Sequence, residues 1–153
     1  MITIYKSPTA DSRTCDVTTV SKDELLESSR RHIDDVLQGL AFFVRQIRTA
    51  GLNHDMDKIN DIDGFYSNFL TKFEQHDWWD RHKVLNRHHL DPKDGRVPDD
   101  VNLIDVLDYI TDCVMAGMAR SGSVRPLTIS PEVLMRAFWN TAKLLEQEVQ
   151  VKD

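Results

Sequence analysis

The apolar positions of this chain recur at helical spacing over most of its length. Leu25, Leu26, Ile33, Val36, Leu37, Leu40, Phe43, Val44 and Ile47, with His32 among them, predict one long amphipathic helix of about eight turns. Ser21-Lys22-Asp23-Glu24 marks its start: in an S-x-x-E capping box, serine and glutamate each satisfy a backbone N–H that would otherwise lack a partner. Gly51 supplies the stop. From Leu52 to Ile62 the pattern is a short turn and a helical start, after which Phe65, Phe69, Leu70 and Phe73 form the stripe of a second helix. Asp77 to His88, with Trp78, Trp79, Val84 and Leu85, is a third helical piece. Leu90 to Pro98 is dense in proline, glycine and aspartate and predicts a surface loop. Asn102 to Arg120 is a strongly apolar helix interrupted by Asp105, Asp108 and Asp112, and it ends near Ser121-Gly122. Ser130-Pro131-Glu132 combines an N-cap with proline at the first helical position, opening a last helix that runs to about Val149.

Before Ser21 the pattern changes. Met1 to Tyr5 alternates apolar and polar as a short strand would, but Pro8 and the polar stretch to Val20 stop it, so residues 1–20 are expected to be an arm. The expectation is therefore an all-α fold: a compact single-domain bundle of five or six helices over residues 21–153, preceded by that arm. The 153 residues suffice for one core, and 41% hydrophobic with 29% charged residues is the balance of a globular domain.

Charge narrows the partners. A net charge of -6 and a pI near 5.4 disfavour a long nucleic acid, which needs a basic face. A small anion is still allowed where a metal or a few arginines reverse the local sign. Cys15 and Cys113 form no CxxC pair and no disulfide framework, which points to free thiols and a reducing, cytoplasmic setting. The polar N-terminal segment resembles neither a signal peptide nor a membrane anchor.

The chemistry-bearing residues are clustered. His54 is followed directly by Asp55, and His82, His88 and His89 gather around Asn86. Imidazole and carboxylate together are the ligands of catalytic transition ions. His32 is by itself an ordinary helix-boundary histidine. His82, Asn86 and His89 share one face if their helix persists, or else form a solvated face. Asp105, Asp108 and Asp112 form an i, i+3, i+7 stripe, usually a wet face. The apolar neighbours of Asp112, Ile110 and Cys113 to Met118, argue instead for a buried carboxylate that needs a partner, with Asp108 the second choice.

In this order, His32, His54-Asp55 and Asp112 on successive helices resemble the HD-domain superfamily of metal-dependent phosphohydrolases. More narrowly, Asn53-His-Asp-Met-Asp-Lys58, Phe65-Tyr66, His82-x-x-x-Asn86-Arg-His-His89 and Tyr109-Ile-Thr-Asp112 with Ala116-Gly117 resemble a small HD-like family of phage and bacterial genomes. The resemblance spans roughly Ser28 to Gly122. It implies an all-helical fold and a metal held by His32, His54, Asp55 and Asp112, with His82 and either His88 or His89 facing a second metal or the phosphate. Lys58 is implied as a phosphate or aspartate partner. Arg87, Arg120 and Arg125 are selected as phosphate contacts on charge alone.

The activity so implied is hydrolysis of a phosphoester or phosphoanhydride of a small, nucleotide-like substrate by metal-activated water. The metal would be one or two ions of Mn, Fe, Zn, Co or Ni, with Mg also allowed. Asp55, Lys58, His82 and His89 would carry the catalysis, and Lys58, Arg87, His88 and Arg120 would bind the substrate. The chain has no G-x-S-x-G elbow, P-loop or dinucleotide fingerprint. The competing expectation is a non-catalytic HD-like inhibitor or adaptor that binds a nucleotide or a protein, with Trp78 or Trp79 as anchor. Leu134, Phe138, Trp139 and Leu145 on the last helix would serve a homodimer as readily as a core.

Overall fold

A computed structural model describes residues 1–91, 93 and 97–153, apart from the side chain of His76. The loop expected over Leu90 to Pro98 thus lies partly outside the described residues. The fold is all-α. Among the described residues six helices follow one another, α1 (Lys22–Asn53), α2 (Met56–Asn60), α3 (Ile62–Leu70), α4 (His76–Leu85), α5 (Leu103–Ser121) and α6 (Pro131–Glu148), with strands β1 (Ile2–Tyr5) and β2 (Val149–Lys152) at the two ends. Among the described residues no helix is long and apolar enough to cross a membrane.

The caps expected at Ser21, Ser130 and Gly122 are present, whereas α1 runs through Gly51, the expected stop, and ends at Asn53. The Ser21 N–H donates to Glu24 Oε2 at 2.8 Å, and the Glu24 N–H donates to Ser21 Oγ at 3.2 Å. The Val133 N–H donates to Ser130 Oγ at 3.2 Å, and Gly122 closes α5 with φ 68°, a left-handed conformation that glycine adopts without strain.

Contacts divide the chain into two units, residues 1–45 with 142–153 and residues 46–141; both boundaries fall inside helices, α1 and α6. In the terminal unit, β1 and β2 pair in parallel with Ile2 opposite Val149 and Tyr5 opposite Lys152. The short strand that the alternation of Met1 to Tyr5 suggests is thus present, as β1. Val149 to Lys152 alternates as β1 does, but a four-residue strand shows itself only through its partner.

The unit of residues 46–141 has a core of Leu90, Val101, Val106, Tyr109, Cys113 and Ala137. The Tyr109 hydroxyl ties α5 to the returning chain, accepting from the Thr128 N–H at 3.0 Å and bonding its carbonyl at 3.1 Å. That chain crosses α5 where a side chain is missing: a Cβ on Gly117 would lie 2.5 Å from the Ser123 carbonyl oxygen and 2.6 Å from the Arg125 nitrogen. Cys15 and Cys113 are free thiols, and burial pushes the Cys113 thiol above its ordinary value.

The apolar stripe of α1 is largely uncovered: the buried residues of α1 are Ser28, Gly39 and Phe42, while Ile33, Leu37, Leu40 and Val44 are exposed. A helix of 32 residues carries more apolar surface than the elements of its chain cover.

Candidate metal centre

The site lies within residues 46–141 and begins where α1 ends. His54 closes the last turn with its N–H on the Ala50 carbonyl, and the chain then turns sharply at Asp55, whose φ of 55° is left-handed. Few residue types tolerate this conformation, and aspartate is one of them. Asn86 secures the turn, its Oδ1 accepting from the Asp55 N–H at 2.9 Å. The His-Asp pair therefore occupies a constrained corner, and Asp57 and Lys58 follow on α2.

Three imidazoles surround the Asp55 carboxylate. His54 Nε2 is 3.6 Å from Asp55 Oδ2, while His82 Nε2 and His88 Nε2 lie 3.5 and 3.7 Å from Asp55 Oδ1. Donor atoms that share one first-row divalent ion, each about 2.0–2.2 Å from it, sit roughly 3–4 Å apart. The spacing fits. Two groups with ion-binding geometry result, His54-Asp55-His88 and Asp55-Asp57-His82, and Asp55 belongs to both.

The opposite edges of the rings are held by carboxylates. Asp108 Oδ1 lies 2.9 Å from His54 Nδ1 and Asp57 Oδ2 lies 2.8 Å from His82 Nδ1. An ionised carboxylate only accepts, so each Nδ1 carries a proton, and in the neutral ring the lone pair is then on the Nε2 that faces Asp55. Asp108 Oδ2 is 3.5 Å from His88 Nδ1, which makes no hydrogen bond there. Carboxylates behind metal-binding histidines play this orienting part in metal sites generally.

The decisive feature is what remains unpaired. His82 Nε2 and Asp55 Oδ1 are both buried, both without a hydrogen-bond partner, and face each other across 3.5 Å. Two acceptors in that position repel, and a buried acceptor without a donor costs about 1–3 kcal/mol. A cation between them removes both penalties. These residues fit a divalent metal.

Electrostatics agree. Burial acts to raise the pKa of Asp55, but the Lys58 ammonium at 2.5 Å, with His54 and His88, outweighs it and holds the carboxyl below its ordinary value. Asp57 behaves alike: burial acts upward, and the hydrogen bonds from Asn86 and His82 prevail. Burial drives the His82 pKa down despite Asp57, because its ring, with no exposed side-chain surface, stacks on Trp78 and Trp79 at 5.1 and 4.8 Å. The lowered pKa favours the neutral ring, the form in which a histidine ligates a metal.

Chelated protein should for these reasons lose stability on acidification. A lowered histidine pKa means that the unfolded chain takes up its proton first, so stability falls as pH drops below about 6.5, the ordinary histidine value. Stability that Asp55 and Asp57 contribute is present above their ordinary value near 3.8 and is lost as pH falls through their lower folded values. Thermal melts between pH 7.5 and 5 should show a falling Tm, with His82→Gln flattening the upper part of the profile; an unchanged profile refutes the assignment of a neutral buried His82.

The chain matches no known protein family, no curated protein and no solved structure. Of the ligands expected from the sequence, His54 and Asp55 are at the centre, and Asp112 Oδ1 is 4.0 Å from His54 Nε2, on the ligand side. Asp108 stands on the Nδ1 side, so the two aspartates divide into orienting and outer roles. His32 belongs to neither group. It is exposed in the terminal unit, beside a groove lined by Ile2, Asp11, Asp35 and Phe43.

The remaining candidates sort as clearly. Lys58 is on Asp55, and His88 is in the His54 group. His89 is in neither group; its ring meets His82 and Trp79 edge-on at 4.9 and 5.7 Å. The helical face of His82, Asn86 and His89 does not exist, because α4 ends at Leu85 and Asn86 is already extended at φ -101°, ψ 100°. That break turns Asn86 back onto Asp55 and Asp57. Arg87, chosen as a phosphate contact, is bound by both nitrogens of its fork to Asp105 at 2.8 Å and also to Asp100. Arg120 is exposed in the last turn of α5, eight residues and about 12 Å of helix beyond Asp112.

Trp78 is buried, with its indole N–H on Asp61 at 3.0 Å, and Trp79 is half-buried. Both wall in His82. Asp57, the residue behind His82, stands in the Asn53-to-Lys58 motif with no role assigned from the sequence; its role follows from the fold.

Proposed function

We propose that this protein is a metal-dependent phosphohydrolase of HD type, cleaving a phosphoester or phosphoanhydride of a small, nucleotide-like substrate with water as nucleophile. The observation that supports this reading above the others is the buried, unpaired Asp55 Oδ1 facing the equally unpaired His82 Nε2 at 3.5 Å. His54, His82 and His88 through Nε2, and Asp55 through both oxygens, are the residues that would hold the ion, and Asp55 would bridge two ions where both groups are filled. Imidazole-rich sets of this kind favour Mn, Fe, Co, Ni or Zn over Mg. A divalent ion bound there lowers the pKa of a coordinated water and neutralises phosphoryl charge.

The chain's own groups do the rest. Asp108 and Asp57 keep the imidazoles in the ligating tautomer. Lys58 pairs with Asp55 and would offer its ammonium to a phosphate oxygen where an ion held by Asp55 supplied the compensating charge. Asp112, less enclosed than His82 or His88, stands at the accessible edge as a proton acceptor for the attacking water. The ligand set departs from that of the resemblance at His32, whose place His82 and His88 would take.

Elemental analysis of the purified protein, combined with a phosphate-release screen over nucleoside mono-, di- and triphosphates, tests the proposal. About one or two equivalents of transition metal with turnover are expected. Metal without turnover on any phosphorylated substrate would favour the binding-protein reading, and absence of metal after reconstitution with Mn or Zn would sink the hydrolase reading.

A further inference from the structure

The exposed stripe of α1 has a regularity of its own, independent of the metal centre. Leu26, Ile33, Leu37, Leu40, Val44 and Ile47 are spaced 7, 4, 3, 4 and 3 residues apart, the heptad alternation of a two-stranded coiled-coil seam. All six are 43% to 65% exposed. The buried residues of the helix, Ser28, Gly39 and Phe42, occupy its other side, so the seam is turned away from the chain's own packing. Six large apolar side chains in one line on a helix form the kind of patch that marks an interaction surface.

Charge selects the occupant. Arg30 takes one inner position of the seam, Glu27 flanks its N-terminal end and Arg48 its C-terminal end, and all three are exposed. A parallel second copy would press Arg30 against Arg30 in the interior. An antiparallel second copy places Leu37 beside Leu40, Val44 beside Ile33 and Arg30 beside Ile47, where its aliphatic stem packs while the guanidinium reaches water. The same register sets Glu27 opposite Arg48 at both ends. Flanking charges of this kind set partner and direction in coiled coils.

We propose that the protein forms a homodimer through antiparallel pairing of α1, with the Leu26 to Ile47 seam as its apolar centre and two Glu27–Arg48 pairs fixing the direction. The test is sedimentation equilibrium of the full-length chain across a concentration series, with circular dichroism to follow folding. The natural chain should sediment as a dimer. Glu27→Arg and Arg48→Glu should each weaken association about tenfold by setting like charges face to face, and the double variant should return to within about threefold of the natural chain. Leu37→Glu with Leu40→Glu should give a helical monomer. A monomeric natural chain at about 100 μM, a larger assembly, or a double variant no better than the single ones overturns the proposal.

Discussion

Replacing Asp55 with asparagine is expected to reduce phosphate release by at least about 1,000-fold and to strip the metal, while the protein stays folded. Asparagine is nearly the same shape and tolerates the left-handed backbone at φ 55°, so the corner and its bond to Asn86 are preserved. What is lost is the negative charge shared by both ion-binding groups. Asp108→Asn, which alters only the carboxylate behind His54, should cost about 10–100-fold in metal affinity, the usual cost of losing an orienting partner. Metal content by elemental analysis and turnover at saturating metal check both. Equal effects of the two variants, or full activity in Asp55→Asn, would remove Asp55 from the centre of the site.

The second large effect concerns stability. Arg87→Met should lower the unfolding free energy by about 2–3 kcal/mol, less than the roughly 3–5 kcal/mol of breaking a fully buried pair, because the arginine side chain is 38% exposed. Asp105 is almost wholly buried and accepts from both Arg87 and the Asn102 N–H that opens α5, so removing the guanidinium leaves its charge poorly compensated at a helix start. For a chain of this length the loss corresponds to a Tm drop of roughly 6–10 °C. Urea and thermal unfolding measure it. A variant of natural stability whose Michaelis constant for a phosphorylated substrate rises tenfold would restore Arg87 to the phosphate-binding role that its charge suggested.

Helices were the legible part of this protein because their signals are local. The capping box at Ser21, the Ser130-Pro131 start and the Gly122 stop each depend on residues within one turn, and each appears where the pattern places it. The His54-Asp55 pair was legible too, since two ligand types side by side are visible without a fold. Asp112 stood out as a charge among apolar neighbours.

What the sequence alone determined, then, is the all-α class, the helix starts at Ser21 and Ser130, the stop at Gly122, and the concentration of imidazoles and carboxylates. Tertiary structure decided which of them meet. It matched β1 with β2 across the length of the chain, broke α4 at Leu85 so that Asn86 and His88 swing toward Asp55, and put Asp57 and Asp108 behind the rings. It bound Arg87 to Asp105 and left His32 outside both ion-binding groups. The reason is physical: periodicity and capping act over one or two turns, whereas a ligand set depends on where separate helices bring their side chains, and one residue more or less of helix rotates a side chain by about 100°.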